Sequence, residues 1–437
     1  MKTMKATKFA IKTLGCKVNQ YEEQVIRENL LRFGFRESGS QAADIVVINS
    51  CTVTDQADVK IRKLIRKVKK ENPRAKIFVT GCYAVFEEDV KLLRSLPEVY
   101  MVVPAGEKNK LPLILDSLFG GGAEEKNMKE QVSGFSCHTR AFLKIQDGCN
   151  QNCSYCKVNL VRGPSRCRDE RDVLDEVIRL AAEGYREIVL TGICLGNWKA
   201  REEGPGLAHL LKEIEGIEGD FRIRISSIEP NHIDEELIET IAASGRVCRH
   251  LHIPLQSGSD RVLKAMNRRY TTEEFRKLTG RLRQSMPFVG ISMDCIAGFP
   301  GETEADFDRT LEFLREVKPS RLHVFKYSDR EGTPAFRMGS KVHVSVARER
   351  VQRLIELGSK LQAEFSVKFI GTEVDILVER RSKDALLEGY TGEYVRAKLY
   401  GFDGSEGDII RVKCGFCDET SPCLVAKSAK IPSKSLI

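Results

Sequence analysis

Hydrophobic and polar positions follow two periods that take turns along the chain. In the first 120 residues, apolar runs of strand character at 9–15, 44–50 and 76–81 are separated by segments whose apolar residues recur every three or four positions. The pattern predicts those three strands, a fourth at 100–103, and helices over 22–33 and 55–70. Strands alternating with helices make a parallel α/β, Rossmann-like unit, because a parallel crossover is long enough to hold a helix. Residues 121–139, opening on a glycine run, read as a linker.

From about residue 140 the alternation resumes. Strands are expected at 141–146, 186–190, 221–227, 250–255, 291–297 and 321–327. Helices are expected at 169–183, 207–215, 234–243, 260–282 (one helix or two) and 303–318. Six repeats fall short of the closed (β/α)8 barrel, so 140–366 reads as a partial (β/α)6 barrel with a side gap for a large substrate. Near residue 368 the helical period stops. Short strands at 372–378, 389–390, 393–399 and 408–412 lie between Gly, Asp and Ser turns, which makes 367–430 a small OB-like β-barrel. Such a module binds oligonucleotides or merely docks on its neighbour. The fold class is α/β multidomain.

Composition narrows the partners. Seventy Lys and Arg against sixty-two Asp and Glu leave a formal charge of +8, which suits a nucleic-acid partner without requiring one. No apolar run is long enough to span a membrane, and the basic N-terminus carries no apolar signal core, so a cytoplasmic protein is expected. In that compartment the fourteen cysteines are thiols, metal ligands or catalytic groups rather than disulfides.

The cysteines carry the chemistry. Cys149, Cys153 and Cys156, spaced C-x3-C-x2-C, put three thiolates on one short loop. That is one ligand fewer than a closed zinc or iron–sulfur site needs, and a cubane held by three cysteines leaves one iron open to a small chelator. Cys16, Cys51 and Cys82 each follow a strand of the first unit. The C-terminal strand ends of an open parallel sheet gather on one edge, where ligands bind, so these three converge there as a second incomplete set. A zinc site competes with that reading. Cys414, Cys417 and Cys423 on the tail read as unliganded surface or half-buried thiols rather than a third metal site, and Cys137, Cys167, Cys194, Cys248 and Cys295 as ordinary thiols, Cys295 as a buried one.

Polar or glycine residues close several later strands. Gly192, Glu229, Gln256 and Asp294 stand where a cofactor would lie, and glycine lets backbone approach a ligand. In the helix over 60–70 the apolar positions 61, 64, 65 and 68 form one stripe. Lys63, Arg66 and Lys67 fall on the opposite face, either as a solvated surface or as phosphate contacts.

The C-x3-C-x2-C loop resembles that of the radical S-adenosylmethionine enzymes, and nearly all of the chain resembles their methylthiotransferases. Residues 49–54 (NSCTVT), 139–149 (TRAFLKIQDGC) and 323–328 (HVFKYS) look most like the branch acting on tRNA N6-threonylcarbamoyladenosine. The chain departs from the pattern at 157–163, which lacks a proline before Arg162-Gly163, and at Cys167, Cys194 and Lys326. The resemblance implies two 4Fe-4S clusters, one on each cysteine set, facing one cavity, with the tail as a TRAM domain. It implies that S-adenosylmethionine fills the open iron of the loop cluster and is cleaved there to a radical. The other cluster holds the sulfur that becomes a methylthio group on C2 of adenosine 37, and a reductant or electron-donor protein supplies electrons. Isopentenyladenosine in tRNA and a ribosomal-protein aspartate are rival substrates. A tRNA-binding iron–sulfur scaffold without turnover is the rival outside enzymes.

Overall fold

The computed structural model describes residues 6–52, 55–120, 128–135, 138–201, 203–382, 386–418 and 423–428. It divides into two compact units. Residues 1–134, 147–151 and 156–164 form the first, and residues 135–146, 152–155 and 165–437 the second. The glycine run at 121–127 and Cys137 lie outside the described residues.

The first unit is built on β1 (Lys8–Thr13), α1 (Lys17–Arg32), β2 (Arg36–Glu37), β3 (Ile45–Ser50), α2 (Asp55–Glu71), β4 (Lys76–Gly81), α3 (Glu87–Arg94), β5 (Val99–Val102) and α4 (Leu111–Phe119). Its sheet has the order β2-β1-β3-β4-β5, and all its pairings are parallel. β3 is buried at every position, as a Val/Ile run covered on both faces should be. Alternate residues feed two cores. Val46, Ile48, Ile77 and Val79 pack with Ile61, Ile65 and Val68 of α2. Ile45, Val47 and Phe78 pack with Ile26 and Leu30 of α1 and with Leu111 and Leu115 of α4. α1 starts five residues before the expected 22. Its first turns hold Asn19, Glu22 and Gln24, which are buried through polar contacts and so hide the apolar period.

The chain continues through β6 (Ala141–Lys144), β7 (Gln146–Asp147), α5 (Val158–Arg162) and β8 (Arg166–Cys167). The second unit then runs α6 (Glu170–Ala182), β9 (Glu187–Thr191), α7 (Leu207–Glu215), β10 (Arg222–Ile225), α8 (Glu235–Ala243), β11 (His250–His252), α9 (Asp260–Ala265), α10 (Thr272–Ser285), β12 (Gly290–Ala297), α11 (Glu304–Val317), β13 (Arg321–Lys326) and α12 (Val344–Val367). Of two parallel three-stranded sheets, β10-β9-β6 and β11-β12-β13, the first reaches the second through a bridge at Ser227–His252. The segment expected as one helix or two at 260–282 is two, with Arg268 and Tyr270 in the break.

The tail holds β14 (Glu373–Arg381), β15 (Leu387–Tyr390), β16 (Arg396–Tyr400), β17 (Ile409–Lys413), β18 (Phe416–Asp418) and β19 (Cys423–Lys427). They form one curled sheet of order β17-β14-β15-β16-β19-β18. The four expected strands are present, and β18 and β19 extend them. Cys414 and Cys423 are buried in this module rather than lying at or near its surface as expected, because the sheet closes over them; Cys414 sits in its apolar core with Ile376, Leu399 and Leu424.

The module is seated on the N-terminal ends of the second unit's strands by charge as well as apolar contact. Glu187 is fully buried among Arg140 at 2.6 Å, Arg222 at 2.6 Å and Arg224 at 2.7 Å. The guanidinium of Arg224 also donates to the carbonyls of Thr391 and Gly392, and that of Arg222 to those of Asp375 and Tyr390. Tyr394 packs against Arg140, Arg224 and Arg321 and 4.9 Å from the ring of His250. Position 290 must be glycine there, since a Cβ would meet the Glu393 carbonyl at 2.2 Å.

Candidate functional site

The ends of β1, β3 and β4 bring three thiols of the first unit to one sheet edge. Cys82 donates its backbone N–H to the Ser50 carbonyl at 3.0 Å, and a Cβ on Gly15 would stand 3.1 Å from the Cys51 Cβ. Cys16 is the residue at the N-terminal cap of α1. Asn19, wholly buried, ties these ends together. Its Nδ2 donates to Ser50 O at 2.9 Å, its carbonyl accepts from Asn49 Nδ2 at 3.0 Å, and its Oδ1 accepts from Arg162 Nη2 at 2.5 Å. Arg162, on α5, also reaches Glu22 and Asp147 at 3.0 Å each. Burial pushes the Cys82 thiol up, and the positive charges of Arg162 and Lys108 work against that push. Burial pulls Arg162 down, but Glu22, Cys82 and Asp147 outweigh it and hold the guanidinium well above its ordinary value.

No three His, Cys, Asp or Glu side chains among the described residues stand close enough to share a single ion. Thiolates on one zinc, each about 2.3 Å from the metal, would have to. A four-iron cubane instead spreads its thiolates over separate irons.

Each sulfur of the loop accepts a hydrogen bond. In the first unit, Cys149 Sγ accepts from the Gln151 amide at 3.3 Å and Cys156 Sγ from the Val158 amide at 3.4 Å. In the second, Cys153 Sγ accepts from Arg268 Nη1 at 3.2 Å. N–H donors aimed at sulfur are the groups that tune iron–sulfur thiolates, so these residues fit a cluster. Gly148, at φ +71°, opens the loop where a Cβ would strike the Pro164 carbonyl at 2.0 Å.

The four residues singled out at strand ends occupy the second unit. Gly192 follows β9, where a Cβ would meet Gln146 Oε1 at 2.8 Å, and that oxygen accepts from the amides of Ile193 and Cys194. Glu229 pairs with Arg268, and burial lifts its carboxyl above the usual range against the pull of that arginine. Gln256 sits in left-handed backbone at φ +67°, with a buried Oε1 that has no hydrogen-bond partner. Strain and an orphaned acceptor at one residue mark a place a ligand can complete. Asp294, within β12, accepts from His252 Nε2 at 2.8 Å, and the His252 ring lies 5.3 Å from that of His323. This cluster of orphaned and paired polar groups fits a polar cofactor such as S-adenosylmethionine. Sequence reasoning missed Arg268, Arg162, Asn19, His252 and Gln146. No spacing marks them, and only their neighbours in space do.

Lys63, Arg66 and Lys67 are exposed on α2, while Ile61, Ile65 and Val68 of the opposite face are buried. Lys67 stands 3.8 Å from Glu71, an exposed pair of little energetic weight. No helix among the described residues is long and apolar enough to cross a membrane.

Residues 143–314 match the model of the radical SAM superfamily, and residues 8–104 match that of the uncharacterized protein family UPF0004. The chain is 40% identical to the threonylcarbamoyladenosine tRNA methylthiotransferase MtaB of Bacillus subtilis, covering 92% of this chain and 93% of that protein. The protein of the same name from Thermotoga maritima is 38% identical over 92% of this chain and 94% of its own length. A tRNA-2-methylthio-N(6)-dimethylallyladenosine synthase of Carboxydothermus hydrogenoformans is 36% identical over 93% of this chain and 96% of its own. Among solved structures, the radical S-adenosylmethionine methyltransferase TsrM of Kitasatospora setae shares the fold, with a TM-score of 0.53 and 14% identity over 76% of this chain and 77% of that one.

Proposed function

The chain belongs to the tRNA methylthiotransferase family of radical S-adenosylmethionine enzymes, and we propose that its substrate is N6-threonylcarbamoyladenosine at position 37 of tRNA. The product is the 2-methylthio derivative. The observation that carries the reading is the convergence of Cys16, Cys51 and Cys82 on one sheet edge, a second three-thiol donor set besides the loop. One incomplete set serves radical generation, and a second has a use when sulfur must also be delivered. Its likeness to relatives named for threonylcarbamoyladenosine, together with the 49–54, 139–149 and 323–328 motifs, favours that substrate over isopentenyladenosine.

The residues divide the work. Cys149, Cys153 and Cys156 would hold one 4Fe-4S cluster, and Cys16, Cys51 and Cys82 the other. When bound, the clusters and S-adenosylmethionine supply the oxidant for an aromatic C–H and the sulfur, which no side chain can. Gly192 lets the Gln146 side chain close on the turn after β9, and Glu229, Gln256 and Asp294 offer polar groups that orient S-adenosylmethionine. Lys63, Arg66 and Lys67 grip phosphates of the anticodon arm, whose unpaired loop bases can be splayed toward an enzyme. The six parallel strands are read as the open (β/α)6 barrel and the curled tail sheet as a TRAM module. A reductant protein delivers electrons from outside the chain.

Mass spectrometry of tRNA nucleosides from a strain lacking the gene tests the substrate. Loss of 2-methylthio-N6-threonylcarbamoyladenosine, with its unthiolated precursor accumulating, is expected. Loss of the isopentenyl derivative instead would reassign it.

A further inference from the structure

The segment between α9 and α10 is fastened to the middle of the cysteine loop by four contacts within the second unit. The Ser154 amide donates to Met266 O at 3.0 Å, and Ser154 Oγ to Ala265 O at 2.8 Å. Asn267 Nδ2 donates to Asn152 O at 2.7 Å. The fourth contact differs in kind, since Arg268 Nη1 donates to the sulfur of Cys153 at 3.2 Å. A charged donor on a thiolate is a strong interaction, and here it is shielded from water, because the Arg268 side chain is 3% exposed.

Arg268 is held from three sides. Its Nη2 pairs with Glu229, its Nε donates to Tyr270 Oη at 3.1 Å, and its guanidinium lies 5.0 Å from the Tyr270 ring centre. The Tyr270 hydroxyl in turn lies 2.8 Å from the carbonyls of Pro254 and Leu255. A guanidinium this tightly placed is oriented toward the sulfur rather than free to follow a substrate. Hydrogen bonds to cluster sulfurs and nearby charge set the reduction potential, because the reduced cluster carries one more negative charge than the oxidised one.

We propose that Arg268 raises the reduction potential of the loop cluster by donating to Cys153 Sγ, and that Glu229 limits the rise by neutralising part of its charge. Arg268 is then a positioning and tuning residue. The step it governs is uptake of one electron by the cluster from an external one-electron reductant, with no bond made or broken. The inference rests on the reading that Cys149, Cys153 and Cys156 hold a cluster.

The test is a potentiometric titration followed by electron paramagnetic resonance on the full chain. Cys16, Cys51 and Cys82 are changed to Ala so that one cluster remains, and dithionite is the reductant. In that background Arg268→Gln is expected to retain its iron and to shift the reduced-to-oxidised ratio at fixed potential at least tenfold toward oxidised. For one electron that is a midpoint lower by about 59 mV. Glu229→Gln, which removes a negative charge but keeps the guanidinium, is expected to move the midpoint the other way. Opposite signs are what a merely structural role would not produce. An Arg268→Gln chain with full iron and an unchanged midpoint overturns the inference. So does one with an unchanged midpoint and weaker S-adenosylmethionine binding, which would make Arg268 a ligand of that molecule. If Arg268→Gln binds no iron, Glu229→Gln decides alone, and no upward shift there overturns the proposal. A background chain that holds no cluster at all overturns the cluster reading itself.

Discussion

Gly81→Ala is a sharp test of how the first thiol set is built, because it alters the residue before Cys82 without touching a sulfur. Gly81 ends β4 at φ +93°, where an L side chain is strained, and an added Cβ would lie 2.5 Å from the Ser50 carbonyl oxygen and 2.6 Å from the Ser50 nitrogen. The left-handed backbone alone costs about 1–2 kcal/mol. Relieving the collision means parting the ends of β3 and β4. That breaks the Cys82 N–H bond to Ser50 O at 3.0 Å and the Tyr83 N–H bond to Ser50 Oγ at 3.1 Å, each worth about 1 kcal/mol. The sum is about 3–4 kcal/mol, which for a unit of this size lowers its melting midpoint by roughly 10 °C. Gly34→Ala is the matched control. Its φ is +86°, but a Cβ there would meet nothing within 4 Å, so only the backbone cost applies. The assay is calorimetry of both variants with iron and sulfide counts after anaerobic reconstitution. Gly81→Ala should fall from about eight irons to about four, and Gly34→Ala should keep about eight. A Gly81→Ala protein with the control's midpoint and a full iron complement would refute the argument that this strand end places Cys82.

Cys153→Ala should abolish reductive cleavage of S-adenosylmethionine, read as 5′-deoxyadenosine formed. Cys51→Ala should retain that cleavage and lose methylthiolation, and full thiolation by the reconstituted variant would undo the two-set assignment. Changing Lys63, Arg66 and Lys67 together to Gln should make the dependence of log Kd on log salt shallower by about 2–3 and weaken tRNA binding about 10²-fold near 0.1 M salt. An unchanged slope would make that face of α2 a bystander. Glu187 is held well below the usual carboxylate range because Arg224, Arg140 and Arg222 together outweigh the burial that opposes ionisation. Its contribution to stability is therefore present above about pH 4.3, its unfolded value, and is lost as the pH falls further. Glu187→Gln should cost about 3–5 kcal/mol at pH 7 by stranding the arginines, and should flatten the acid side of the urea-unfolding profile. A variant with wild-type stability at pH 7 would show that the cluster of charges does not anchor the β-module.

Much of the architecture follows from local pattern. The Val/Ile runs at β3 and β4 and the 3.6-residue stripes of α2, α7 and α11 read correctly, because periodicity reports which face is buried before any partner is known. The position of Cys16, Cys51 and Cys82 after three parallel strands was legible for a related reason, since strand-end position is itself a sequence property. The start of α1 was not, because buried Asn19, Glu22 and Gln24 break the stripe while satisfying their polar atoms through the fold. Nor were β18, β19 and α12, and the apolar positions of β19 and of the end of α12 acquire meaning only when the tail sheet closes on Phe365 and Phe369. Arg162 beside Cys82 and Arg268 on Cys153 belong to the same class. An arginine in a loop carries no periodic signal, and its charge acts over a few ångströms of space, not over residues of chain. The sequence by itself thus determined the kinds of element and the positions of the candidate ligand atoms. Tertiary structure alone decided which charges face those atoms, because burial and through-space distance exist only once distant segments have met.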